Sequence, residues 1–87
     1  MTRIVIADDH AIVREGLKRI VGDAQDLQVT GEAADGGEVM KAVRELEFDV
    51  LVLDLSMPGR SGMELIKLVK SEKPKLRILV LLSLIHI

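Results

Sequence analysis

Three aspartates stand where the chain could bind a metal ion or do chemistry on phosphate. Asp8 and Asp9 directly follow the short apolar run 4–7, and Asp54 directly follows the run 50–53. Carboxylates brought together repel, and the repulsion raises the pKa of at least one unless a cation neutralises them. A hard divalent cation with oxygen ligands, above all Mg²⁺, resolves that conflict. The sequence predicts an acidic Mg²⁺ site if the two runs are neighbouring strands.

The elements that must position these aspartates alternate between strand and helix. The runs 4–7 and 50–53 lack polar alternation, which is typical of strands buried on both faces of a parallel sheet. The segment 27–33 is the most polar of the strands and is therefore expected at an edge. The strands that this pattern predicts are residues 4–7, 27–33, 48–53 and 76–81.

Three helices are expected between the strands, and a turn at 35–37 should precede the second of them. The second helix should bury Val39, Met40, Val43 and Leu46, and the third Met63, Leu65, Ile66 and Val69. The core-facing residues of the first helix are expected to be Ile12, Val13, Gly16, Leu17, Ile20 and Val21. Its solvent-facing residues are expected to be Arg14, Glu15, Lys18 and Arg19.

The alternation predicts an α/β fold, a doubly wound parallel sheet with right-handed crossovers and helices on both faces. The order is β1-α1-β2-α2-β3-α3-β4, which is incomplete because no helix follows the last strand. A long unpaired strand edge would then be exposed, and self-association through it is expected. Ligands bind such sheets beyond the carboxyl ends of the strands, where the strand order reverses, so the three carboxylates should share one crevice.

Composition narrows the class of protein. The 87 residues allow one small domain, and 48% hydrophobic with 30% charged residues indicates a globular chain. A net charge of −2 gives no reason to expect nucleic-acid or acidic-membrane binding by this segment, and without cysteine the metal site depends on carboxylates. The apolar stretch 78–87 is too short to span a bilayer. A cytoplasmic protein without a membrane segment is expected.

Each aspartate also has a simpler interpretation. One aspartate could cap the first helix, but two in a row exceed what capping needs. Asp54 alone would suit a turn. Beside Asp8 and Asp9 it is expected to be the most exposed of the three carboxylates, able to act as a nucleophile toward phosphorus.

The loop after Asp54 should shape the site. Met57, Pro58 and Gly59 are expected to turn the backbone away from Asp54, because proline fixes its own φ and glycine gives freedom after it. The backbone carbonyl of Ser56 could be a further oxygen ligand, and its hydroxyl is expected to be solvated. His10 is expected to be a solvated residue at the start of the first helix.

Together these motifs resemble the receiver domain of two-component response regulators, closest to the NarL/FixJ (LuxR-type) subfamily. The resemblance rests on the Asp8-Asp9 pair followed by His10, the stretches 13–17 (VREGL) and 31–33 (GEA), and the loop 54–59 (DLSMPG). It implies a flavodoxin-like (CheY-like) fold that accepts a phosphoryl group on Asp54 from a sensor histidine kinase. By the same resemblance Asp8, Asp9, Asp54 and the Ser56 carbonyl hold Mg²⁺. Promoter binding would belong to a C-terminal helix-turn-helix domain of the full-length parent.

The end of the chain departs from the family pattern. Leu82 stands where the family has serine or threonine, and Ser83 comes one residue late; the strand-five lysine and the switch aromatic are missing. One choice of codons for residues 82–87 spells CTG TCT CTT ATA CAC ATC, a transposase end sequence used in preparing sequencing libraries. Residues 1–81 are therefore interpreted as a partial receiver domain and 82–87 as a non-native, adapter-derived tail.

Other functions stay open at this point. An inactive receiver-like remnant that binds a metal or a partner is one, and a Mg²⁺-dependent phosphohydrolase with an aspartyl-phosphate intermediate is another. The haloacid-dehalogenase type of hydrolase has Asp-x-Asp, whereas Ser56 stands where the second aspartate would be. A flavodoxin-like nucleotide binder is disfavoured because Asp8 and Asp9 would repel a phosphate. A phosphorylation switch that is not an enzyme is the leading hypothesis.

Overall fold

A computed structural model describes residues 1–55, 57 and 61–81 of the chain. Strands and helices alternate in the predicted order. The elements are β1 (Thr2–Ala7), α1 (Ala11–Gly22), β2 (Leu27–Ala33), α2 (Gly36–Glu45), β3 (Val50–Asp54), α3 (Gly62–Glu72) and β4 (Arg77–Leu81).

All pairings between the strands are parallel, and the strand order is β2-β1-β3-β4. The predicted doubly wound α/β sheet is confirmed, and β2 is an edge strand as expected. The chain moves from β1 outward to β2 on one side, then returns to place β3 and β4 on the other. The order therefore reverses between β1 and β3, the position at which open α/β sheets form their binding crevice.

The two faces of the sheet carry separate apolar clusters, because successive side chains of a strand point to opposite faces. On one face Val5, Leu51 and Leu53 pack against α2 and α3, and all three are fully or almost fully buried. On the other face the buried side chains of Ile4, Ile6 and Val52 pack against α1 through Leu17 and Val21. The central strands β1 and β3 are thus covered on both sides, which explains their uninterrupted apolar sequence.

Helix α1 is rotated relative to the prediction. Ile12 and Ile20, which were expected in the core, are 87% and 69% exposed. Arg14 and Lys18, which were expected to face solvent, instead form ion pairs with Glu32 on β2. The apolar contact of α1 with the sheet runs through Leu17 and Val21 and is narrower than the sequence pattern suggests.

Helix α2 begins one residue after Asp35, within the segment predicted to be a turn. The Asp35 carboxylate accepts a hydrogen bond from the Glu38 backbone N–H (2.8 Å), and the Glu38 carboxylate accepts one from the Ala34 N–H (2.6 Å). This reciprocal arrangement satisfies donors that a helix start leaves unpaired, as a capping box does. Two glycines can therefore open the helix despite their low helix propensity.

Candidate acidic site

The strand register brings Asp8 and Asp54 to the same level of the sheet. Ala7 of β1 is the partner of Leu53 of β3, so the residue that follows each of them lies at the carboxyl edge. Asp8 and Asp54 are each 1% exposed, and they are the buried charged residues of the described chain. Because charge is costly to bury without compensation, this position calls for a cationic or hydrogen-bonding partner.

Four side chains converge at this edge. One ligand atom each from Asp8, Asp9, His10 and Asp54 lies within 4.8 Å of the others. The structure thus brings together the three aspartates that the sequence singled out and adds a histidine. We call this group the acidic cluster.

His10 lies among the three carboxylates. Its Nδ1 atom is 2.9 Å from Oδ1 of Asp8, 3.1 Å from Oδ1 of Asp9 and 3.9 Å from Oδ2 of Asp54. The hydrogen bond to Asp8, followed by the charge of Asp9, raises the pKa of the His10 imidazole. The expectation of a merely solvated histidine holds only in part, since the ring is 44% exposed but contacts the cluster. The feature of the sequence that could have indicated this contact is the position of His10 directly after the acidic pair.

The capping alternative for Asp8 does not match the observed contacts. His10 is the residue that precedes the first turn of α1, and no side chain caps that helix. The Asp8 carboxylate accepts the His10 backbone N–H (2.8 Å) instead of an amide inside the first turn. Its second contact is with the His10 ring, so it is oriented toward the acidic cluster.

The relative exposure of the aspartates reverses the prediction. Asp54, expected to be the most exposed, has a fully buried side chain, whereas the Asp9 side chain is 29% exposed. The reason is that Asp54 is still the last residue of the central strand β3, paired with Leu81 of β4, while Asp9 lies beyond the end of β1.

Only part of the predicted loop can be placed. Met57 is half-buried and packs against the cluster of apolar residues on the α2 and α3 face. Ser56, Pro58 and Gly59 lie outside the described residues. At the far end of the loop Gly62 approaches the Leu55 side chain so closely that a Cβ atom there would lie 2.3 Å from Leu55 Cδ2. A residue with a side chain at position 62 would therefore displace the neighbour of Asp54.

The donor set suits a hard divalent cation. Three carboxylates at one point supply oxygen ligands and negative charge, which Mg²⁺ prefers, and the chain has no thiolate to favour a softer metal. The cluster could therefore hold Mg²⁺ through Asp8, Asp9 and Asp54.

Next to the cluster, Arg14 and Lys18 of α1 converge on Glu32 of β2. Both N–O distances to the Glu32 carboxylate are 3.0 Å. The hydrogen bond from Lys18, reinforced by Arg14, lowers the pKa of Glu32 from its usual 4.5. Ionised Glu32 therefore stabilises the fold above its unfolded-state pKa, and this contribution is lost as the pH falls through its folded-state pKa.

We expect Glu32→Gln to lower the free energy of unfolding near neutral pH by less than about 1 kcal/mol, since the carboxylate is partly exposed. The difference from the wild-type chain should shrink as the pH falls through the folded-state pKa of Glu32, where the wild-type side chain also becomes neutral. Urea unfolding at a series of pH values measures this difference. A difference that stayed constant or grew in acid would contradict the assignment.

The fold and the acidic cluster define a class of protein, a parallel α/β domain with a carboxylate site at the reversal of its strand order. The sequence profile of the family described as "Response regulator receiver domain" matches residues 4–84. The chain belongs to this family. Its fold is thus the CheY-like receiver fold.

Relatives of known name agree with this assignment. The chain is 46% identical over 80 residues to the oxygen regulatory protein NreC of Staphylococcus haemolyticus, covering 91% of this chain and 37% of that protein. It is 36% identical to the response regulator GacA of Pseudomonas aeruginosa, covering 92% and 37%. The chain therefore spans little more than a third of the length of these relatives.

Solved structures give the same picture. RcsB from Salmonella enterica serovar Typhimurium, bound to promoter rprA in the presence of the phosphomimetic BeF3⁻, superposes with a TM-score of 0.90 at 35% identity, covering 99% of this chain and 72% of that one. A LuxR-family response regulator from Aurantimonas has a TM-score of 0.86 at 39% identity, covering 92% and 57%. These relatives support the NarL/FixJ type. Within the described residues, no helix has the length and apolarity needed to cross a bilayer.

Proposed function

We propose that the chain is a phosphorylation switch in which Asp54 is the phosphoacceptor. The observation that carries the proposal is the convergence of Asp8, Asp9 and Asp54 at the carboxyl edge of β1 and β3, in a chain of the receiver family. Asp8 and Asp9 are proposed to hold Mg²⁺ together with Asp54, and the Ser56 carbonyl is proposed as a further ligand. The bound cation would neutralise charge on the carboxylates and on the incoming phosphoryl oxygens.

In the proposed step a carboxylate oxygen of Asp54 forms a bond to phosphorus while the bond between phosphorus and the donor nitrogen breaks. The donor is a phosphohistidine on a sensor kinase, and its imidazole leaves with the electron pair. The product is an acyl phosphate, whose phosphoryl group carries roughly −1.5 to −2 charges in place of the single negative charge of the carboxylate. Because the Asp54 side chain is fully buried, neighbouring side chains, His10 among them, must shift before a donor can reach it.

The proposal extends to the longer parent protein. We propose that the parent is cytoplasmic and controls transcription through a C-terminal helix-turn-helix domain, as the DNA-bound RcsB relative suggests. We also propose self-association through the β4 edge, where Leu79 is 56% exposed.

Residues 82–87 are proposed to be adapter-derived. The family match extends to residue 84, which overlaps this segment, so the origin of the segment needs a direct test. That test is to resequence the encoding locus with a method that uses no transposase.

The test is incubation of the purified chain with acetyl phosphate, with and without Mg²⁺, followed by intact-mass measurement. We expect a gain of one phosphoryl group that needs Mg²⁺ and is lost when EDTA is present. A switch should accept the group once and release phosphate slowly. Repeated release of phosphate from a phosphomonoester would indicate a hydrolase instead, and no gain under any condition would contradict the proposal.

A further inference from the structure

Arg14 connects the acidic cluster to the edge strand β2. Its Nη1 atom donates a hydrogen bond to the backbone carbonyl of Asp8 (2.5 Å), and its Nε donates to the Glu32 carboxylate (3.0 Å). The side chain is only 19% exposed, although it lies on a helix with no fully buried residue. The guanidinium group thus reaches two acceptors that belong to different elements.

The backbone of Asp8 is held on both sides. Its N–H donates to the carbonyl of Ala33 at the end of β2 (2.9 Å), and its carbonyl accepts the hydrogen bond from Arg14. A peptide unit is planar, so the Asp8 carbonyl and the Asp9 N–H lie in one plane. Fixing the carbonyl therefore fixes the orientation of the peptide from which Asp9 projects.

Asp9 is the least buried aspartate of the acidic cluster, so its orientation depends most on its backbone. The side chains of Asp8 and Asp54 are 2% and 0% exposed, and the surrounding strands hold them. The Asp9 side chain is 29% exposed and follows the end of β1, beyond the strand pairings that the described residues make, which end at Ala7. Its carboxylate contacts the His10 ring (3.1 Å), and the direction in which the side chain leaves the backbone depends on the peptide that precedes it.

We propose that Arg14 is a positioning residue for the cation site: it fixes the peptide between Asp8 and Asp9 so that the Asp9 carboxylate faces the acidic cluster. The inference rests on the proposed function, in which that cluster holds Mg²⁺. Glu32 completes the arrangement because it orients the guanidinium group. Arginine suits the position because its planar fork binds two acceptors at once, whereas lysine presents a point charge on a flexible stem.

The test compares the Mn²⁺ affinity of the full chain with that of Arg14→Met, Arg14→Lys and Lys18→Met. Mn²⁺ takes oxygen ligands as Mg²⁺ does, and its free form is quantified by electron paramagnetic resonance. Lys18→Met is the matched control, because Lys18 also binds Glu32 yet has no contact with Asp8 among the hydrogen bonds of the described residues.

We expect Arg14→Met to weaken Mn²⁺ binding about 10-fold, in the range usual for groups that orient metal ligands. Arg14→Lys should also bind Mn²⁺ more weakly, since it keeps the charge but loses the fork, and it remains informative if Arg14→Met fails to fold. Lys18→Met should bind Mn²⁺ like the wild-type chain. Equal Mn²⁺ affinity in the wild-type chain and a folded Arg14 variant would overturn the inference and leave the proposed function untouched.

A metal-free measurement separates the two proposals further. The backbone amide resonance of Asp9 should shift in Arg14→Lys and keep its position in Lys18→Met, because Arg14 donates a hydrogen bond to the preceding peptide, whereas Lys18 has none to it among the described residues. An unchanged Asp9 amide in the Arg14 variant would overturn the positioning role. A shifted amide in a chain that takes up no phosphoryl group would support the role while the proposed function fails.

Discussion

The Asp54→Asn variant is expected to gain no phosphoryl group under conditions in which the wild-type chain gains one. An amide offers neither the negative charge nor the nucleophilic oxygen of a carboxylate, so the bond to phosphorus cannot form. Asparagine has nearly the same volume as aspartate, so the buried end of β3 should keep its packing. Intact-mass measurement after incubation with acetyl phosphate and Mg²⁺ compares the two chains directly.

The matched control is Asp26→Asn. Asp26 is exposed and directly precedes β2, so it lies at the amino ends of the strands, whereas the acidic cluster lies at their carboxyl ends. This variant should therefore gain one phosphoryl group like the wild-type chain. If Asp54→Asn still gained a group, Asp54 would not be the acceptor. Asp9, the most exposed carboxylate of the acidic cluster, would then be tested next with Asp9→Asn.

The Leu51→Ala variant is expected to lose about 3 kcal/mol of unfolding free energy. Leu51 lies in the central strand β3, is 0% exposed and belongs to the cluster packed between the sheet and helices α2 and α3. Removing its branched end leaves a cavity that close-packed neighbours fill only in part. A domain of this size has a total unfolding free energy of the order of 5 kcal/mol, so the variant would lose a large part of its stability.

Urea unfolding measures the loss, with Leu79→Ala as the control of the same chemistry. Leu79 lies in β4 and is 56% exposed, so its truncation should cost less than about 1 kcal/mol. The Leu51 variant should lower the urea concentration at the unfolding midpoint. The slope of the unfolding free energy against urea concentration should stay the same, as expected for a change of stability alone. Similar losses in the two variants would mean that β3 is not the centre of the core.

The fold was predictable because its signals are local and repeated. Uninterrupted apolar runs before Asp8 and Asp54 indicate strands buried on both faces, and the alternation with amphipathic segments leaves one topology that is right-handed and parallel. The convergence of the aspartates then follows from the geometry of parallel sheets once β1 and β3 are neighbours. No local pattern encodes the register between Ala7 and Leu53, and this register places the carboxylates of Asp8 and Asp54 side by side.

Two errors show what propensity and periodicity do not capture. Arg14 and Lys18 were predicted to face solvent, but both form ion pairs with Glu32 on β2. Ile12, which was predicted to lie in the core, is exposed. The segment 35–37 reads as a turn because glycine is a poor helix former, yet the reciprocal hydrogen bonds of Asp35 start the helix there. A contact with another element accounts for the first error, and a local helix cap outweighs propensity in the second.

The parallel pairing of β1 with β3 has a consequence for how the acidic cluster assembles. Residues 8 and 54 are remote in the chain, and the elements α1, β2 and α2 lie between the two strands that bring them together. No partly folded chain that lacks this long-range pairing contains the cluster. A ligand held there therefore stabilises only those states in which β1 and β3 are paired over the states in which they are not.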